Sequence, residues 1–117
     1  MPRRGGARAR AVGTLAVARA PHVALADEAP APDRALAEAL FREGRQLMES
    51  GHVAEGCVKL AESQRIDPAI GTLLNLATCH ALEGKTASAW AEFADGRTQA
   101  ARAGREKYVT FARDQMN

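Results

Sequence analysis

Apolar residues recur along this chain at spacings of three and four, and each run is closed by a glycine or a proline. Leu36, Leu40, Gly44, Leu47 and Met48 form the first stripe, predicting a helix from Arg34 to Ser50 with Asp33 as its N-cap. Gly51 supplies the left-handed residue beyond its end. A second helix is expected over about 53–66, with Val53, Gly56, Cys57, Leu60, Ser63 and Gln64 inward, ended by Asp67-Pro68. A third, about 70–83, carries Leu73, Leu76, Ala77 and His80 on one face and stops at Gly84. A fourth runs from a Thr86 cap to about Ala103, with Trp90, Phe93, Ala94 and Arg97 on one face. Beyond Gly104, Tyr108, Phe111 and Ala112 mark a fifth over about 105–116. No alternating run of β-branched residues predicts a strand, so the expected class is all-α.

The pattern repeats. At an offset of 33 residues Leu40 falls on Leu73, Gly44 on Ala77, Gly51 on Gly84, Gly56 on Ala89 and Leu60 on Phe93. Such a period marks helical hairpins that stack because none buries its apolar face alone. Gly44 and Gly56 sit inside helices, where glycine costs about 1 kcal/mol relative to alanine, so they imply close helix approach. The expected core is Leu40, Gly44, Leu47, Gly56, Leu60, Leu73, Leu76, Ala77, Ala89 and Phe93.

Residues 37–68 resemble a tetratricopeptide repeat (TPR) through Leu40, Gly44, Leu47, Gly51, Gly56, Leu60 and Pro68. Residues 70–101 resemble a second copy through Leu73, Leu76, Ala77, Gly84, Ala89 and Phe93, without the closing proline. The stretch 72–93 is similar to short, exported, alanine-rich bacterial proteins of that class. The resemblance implies a short right-handed α-solenoid of two TPR-like repeats plus a C-terminal helix, and a role in binding protein or peptide. It implies a concave groove lined by Phe41, Arg45 and Met48 from the first repeat, and Leu74 and Asn75 from the second. Glu38, Thr78 and Ala81 belong to the same implied lining. In the subclass that clamps a C-terminal carboxylate, lysine and asparagine stand where this chain has Phe41 and Arg45; only Asn75 agrees.

The charge is unevenly placed. The chain has 16 basic and 14 acidic side chains, but Arg3, Arg4, Arg8, Arg10, Arg19 and Arg34 crowd the first 36 residues against Asp27, Glu28 and Asp33. The helical part therefore has no excess of base to attract nucleic acid. The basic start, the uncharged run 11–18 and Ala24-Leu25-Ala26 predict a signal peptide over 1–26, then a Pro/Ala linker at 27–33. The N-terminus is expected to be disordered up to the domain at 34–117. This reading places the protein in the periplasm or outside the cell; a basic leader on a cytoplasmic protein is the alternative. No stretch approaches the roughly 20 apolar residues of a membrane span.

Gly84-Lys85-Thr86 ends like a phosphate-binding loop, but Cys79 stands where the motif needs glycine, and a helix precedes it. Cys79 and His80 point about 100° apart on a helix, which disfavours a nucleophile–base pair. Cys57, Cys79 and His80 lack any CxxC or HxxxH spacing for a metal. No cofactor, metal or enzymatic role is expected. Cys57 and Cys79 lie at equal distances on either side of Pro68, so helices turning there bring them level. In an oxidising compartment they are expected to form a disulfide; two separate buried thiols are the alternative. Two repeats are few for an array that usually needs three. The runner-up reading is thus a repeat fragment without independent function, and an exposed repeat edge could serve self-association.

Overall fold

Five helices and no strand make up residues 29–117, the part of the chain that the computed structural model describes. They are α1 (Ala31–Glu49), α2 (Val53–Ile66), α3 (Ile70–Leu82), α4 (Thr86–Arg102) and α5 (Glu106–Met116). The expected signal segment 1–26, and residues 27 and 28 of the expected linker, lie outside the described residues.

Three of the four turns are built alike. Gly51, Gly84 and Gly104 have φ of 89°, 80° and 70°, a region that side chains strain to enter. After α1, Gly51 N–H donates to Met48 C=O (3.1 Å) and His52 N–H to Leu47 C=O (2.8 Å). After α3, Gly84 donates to Ala81 and Lys85 to His80; after α4, Gly104 donates to Ala101 and Arg105 to Ala100. These paired bonds satisfy carbonyls that a helix end would otherwise leave free. They also fix where the next helix starts. Lys85, held by its bond to His80, becomes the N-cap of α4, so Thr86 is the first helical residue and not the expected cap. At the chain's other end α1 begins at Ala31, ahead of the expected Arg34. Pro32 fits its first turn, where no N–H is needed, and Asp33 lies inside that turn near the positive helix end instead of capping it.

The junction between α2 and α3 is different. It turns at Asp67-Pro68 without a left-handed residue. Asp67 N–H donates to Ser63 C=O (3.0 Å), and Gln64 Oε1 accepts from Ala69 N–H (3.0 Å).

Small residues set the helix approach within each hairpin. A Cβ on Gly56 would stand 2.8 Å from the Gly44 carbonyl oxygen and 2.9 Å from Met48 Cγ. A Cβ on Gly44 would stand 2.8 Å from Leu60 Cγ. Buried Ser63 ties the same pair, its hydroxyl donating to Ala37 C=O at 2.6 Å. Between α3 and α4 the corresponding gap is Gly96, where a Cβ would lie 2.5 Å from Leu74 Cδ2. His80 Nδ1 and Glu92 Oε1 meet there at 2.7 Å. Cys57, Leu60, Leu76 and Cys79 form one core cluster, flanked by Phe41, Met48 and Val53. Leu74, Ala77, Ala89, Phe93 and Ala112 form the second, flanked by Ile70, Tyr108 and Met116.

The structure bonds Cys57 to Cys79, with Cα atoms 5.6 Å apart. Both cysteines are buried. With the sulfurs joined and His80 held by Glu92, these three residues offer no metal-ligand set.

Some expected core positions are not enclosed. Leu36 is 52% exposed, and Leu40 and Leu47 are half-buried, because no described helix covers that flank of α1. Trp90 is 54% exposed. It stands roughly a quarter turn away from the Ala89, Phe93, Gly96 and Ala100 face that α4 buries. Arg97 also faces solvent. Among the described residues no helix is long and apolar enough to cross a membrane.

Candidate functional site

A cleft of about 490 Å³ opens on the side of the molecule where α1, α3 and α5 lie next to one another. From α1 come Arg34, Glu38 and Phe41, spaced four and three apart and so on one face. From α3 come its first three residues, Ile70, Gly71 and Thr72. Arg105, the N-cap of α5, and Tyr108 complete the wall. Ala37, Ser63, Asp67 and Ala69 line the remainder.

Local sequence explains this arrangement. Gly71 has no side chain, which admits Tyr108: a Cβ there would stand 3.2 Å from Tyr108 Oη. The guanidinium of Arg105 lies over the Tyr108 ring, 4.5 Å from its centroid, in cation–π contact. Arg34 donates to the Ala29 carbonyl at the cleft's edge. The wall thus mixes two aromatic rings with two cations and two carboxylates, Glu38 and Asp67. Within this wall no ion pair is formed among the described residues. Such a surface offers both apolar and charged contacts. The charged pairs elsewhere sit on solvated helix surface. A hydrogen bond with Glu43 holds Lys59 above its ordinary range, and a hydrogen bond from Arg65 holds Glu62 below its own.

The five residues expected to line a groove are not brought together. Phe41 lines the cleft. Arg45 lies over the Phe41 ring, 6.0 Å from its centroid, and pairs with Glu49 at 3.3 Å. It belongs to a neighbouring shallow depression shared by Phe41, Arg42, Gln46 and Glu49. Met48 is pressed against Gly56 within the first hairpin. Leu74 is 2% exposed and fills the space that Gly96 leaves in α4, so it faces the core and not a groove. Asn75 donates from Nδ2 to the Gly71 carbonyl at 2.8 Å, bonding back onto its own helix. Glu38, also implied by the resemblance, does line the cleft.

The sequence reading did not assign Arg34, Thr72, Arg105 and Tyr108 to a site. The repeat offset directs attention to helix middles, whereas the cleft is built from the starts of α3 and α5. One signal was available: Gly71 is a glycine in a first helical turn with no turn to make.

Compared with protein-family models, with curated proteins and with solved structures, the chain matches none of them.

Proposed function

We propose that the chain is a peptide-binding module of TPR type, exported to the bacterial envelope, which holds an extended or helical segment of a protein partner. The observation that carries this reading is the cleft between α1, α3 and α5, with Phe41 and Tyr108 among charged side chains that have not paired with one another. Helix adjacency supports the repeat reading: α1 touches α3 and α3 touches α5, in addition to the contacts between chain neighbours. The α1–α2 and α3–α4 turns carry the same two hydrogen bonds 33 residues apart. The Cys57–Cys79 bond supports an oxidising compartment, in keeping with the signal-like residues 1–26.

Display of random peptides against the full chain tests the binding role. Selected peptides are expected to lose at least tenfold in affinity with Phe41→Ala and to keep it with Val58→Ala, whose parent residue is 68% exposed outside the cleft. Equal loss in both variants, or selection of no peptide, would count against the module. Export is tested by mass analysis of protein from its host: the mature chain should begin at Asp27, and a chain retaining Met1 refutes export.

A further inference from the structure

The two core clusters divide the molecule into units. Leu74, Ala77, Ala89, Phe93 and Ala112 come from α3, α4 and α5 alone, and so do Ile70, Tyr108 and Met116 packed on them. The unit α3 to α5 therefore has a core of its own. The other unit, the α1–α2 hairpin, is closed by Gly44 against Gly56 and by the Ser63–Ala37 hydrogen bond. The remaining cluster joins the two. Cys57 and Leu60 enter it from α2, Leu76 and Cys79 from α3. Two of its four buried members are thus the bonded cysteines. Apart from them, each unit contributes one buried leucine, flanked by half-buried Phe41, Met48 and Val53 of the hairpin. Among the described residues, the helices of the two units otherwise touch only where α1 meets α3.

The cleft straddles this joint. Phe41 and Ser63 stand on the hairpin, Ile70 and Tyr108 on the second unit, so neither unit alone encloses it. Phe41 belongs to both places: it lines the cleft and packs against the cluster that holds the disulfide. We propose that the Cys57–Cys79 bond is a redox latch for the cleft. Oxidation docks the two units and forms the peptide site; the dithiol chain is folded within each unit but does not bind. This inference rests on the peptide-binding reading of the cleft. The oxidant is an external disulfide. One cysteine thiolate attacks it and expels one thiol, and the second cysteine then displaces the other. Two electrons pass to the oxidant's sulfur pair, and its two released thiols carry away the protons of Cys57 and Cys79. With the units apart, both thiols are open to the oxidant. With the bond made, the cysteines are 5% and 0% exposed, out of a reductant's reach. The latch therefore closes readily and reopens slowly. A chain held in a reducing compartment stays inactive, and export activates it.

The test compares the oxidised full chain, the same chain reduced with dithiothreitol, and Cys57→Ala with Cys79→Ala, all well below their melting temperatures. Affinity for a selected, cysteine-free peptide and far-ultraviolet circular dichroism are measured on the same samples. Helicity should persist in all three. Affinity should fall at least about tenfold in both unbonded forms, as when under about a tenth of the chains hold the cleft formed. Oxidised glutathione should restore binding to the reduced chain and not to the alanine variant. Equal affinity in bonded and unbonded forms overturns the latch and leaves the groove standing. Loss of helicity together with binding also overturns it, because the bond then staples the whole fold and gates nothing. Amide shifts of the labelled, peptide-free chain give a readout independent of the groove. Reduction should move Phe41, Ser63 and Ile70 and leave Ala100 and Ala112, buried within the second unit, in place. If no peptide is selected, the groove fails and these shifts decide the joint: movement upholds redox-dependent docking, and unmoved amides overturn it.

Discussion

The hairpin interfaces and the α2–α3 junction are held together by different means. Within the α1–α2 hairpin, glycines bring backbones into contact, and a left-handed glycine with two hydrogen bonds turns the chain. The α2–α3 junction has neither device, and its helix contact is less extensive than that of either hairpin. It has a proline turn and a disulfide. Close packing is cheap between sequence neighbours because a short turn leaves little loop entropy to overcome. The α2–α3 turn is as short, but no close glycine contact joins those two helices, and a covalent bond links them instead. That junction also positions the cleft, since Ser63, Asp67, Ala69 and the start of α3 all lie around it. The least extensive contact between chain neighbours and the candidate site therefore share one location.

Removing the disulfide should break this contrast most strongly. The bond spans 22 residues, and closing a loop of that size stabilises by about 3 kcal/mol in the loop-entropy model. Reductant, or Cys57→Ala with Cys79→Ala, should lower the melting temperature by about 10 °C or more. Hydrogen exchange should show protection lost first around the α2–α3 junction. A melting point unaffected by reductant would mean that noncovalent packing alone secures the junction.

Overpacking the hairpin acts on the other side of the comparison. Gly56→Leu should cost ~1–3 kcal/mol, because even a Cβ there meets the Gly44 carbonyl and Met48. Calorimetry of the variant measures this directly. A melting temperature equal to the parent's would refute close approach through Gly44 and Gly56.

Gly71→Ala should be milder. Its Cβ meets only Tyr108, with Oη at 3.2 Å, and that ring lies at the cleft's wall. Stability should change by less than about 1 kcal/mol, while the Tyr108 ring resonances shift and peptide binding weakens. Large destabilisation with unchanged binding would assign Gly71 to packing alone. The smallest effect belongs to the solvated Glu62–Arg65 pair, 3.0 Å apart through Arg65 Nε. Arg65 lowers the Glu62 pKa, so any stability it gives is present at neutral pH and is lost as the pH falls below the usual carboxylate range. Glu62→Gln should leave the neutral-pH melting temperature unchanged within error, as expected for an exposed ion pair.

Much of this architecture was legible in the sequence. Glycines at 51, 84 and 104 mark the turns, and period-3.6 stripes mark five helices. The small residues Gly44 and Gly56 announced the close hairpin. What sequence could not resolve was rotation about each helix axis. Leu73 and Leu74 are adjacent and equally apolar, and which of them faces outward depends on where α4 leaves room. Gly96 leaves it opposite Leu74, and both leucines end up buried. Trp90 shows the reverse, a large apolar residue beside a narrow face that Ala89, Gly96 and Ala100 already fill. The cleft was missed for a related reason: much of its wall comes from the starts of α3 and α5, which carry no periodic signal.

The proposed place of peptide binding is the cleft between α1, α3 and α5. Amide shift mapping of a selected peptide on the full chain tests it most directly. The largest changes should fall at Phe41, Ile70, Gly71, Thr72 and Tyr108, with little at Val58, Leu82 or Trp90, which are exposed outside it. Changes centred on Trp90 and Leu82, with Phe41 and Tyr108 unmoved, would contradict it.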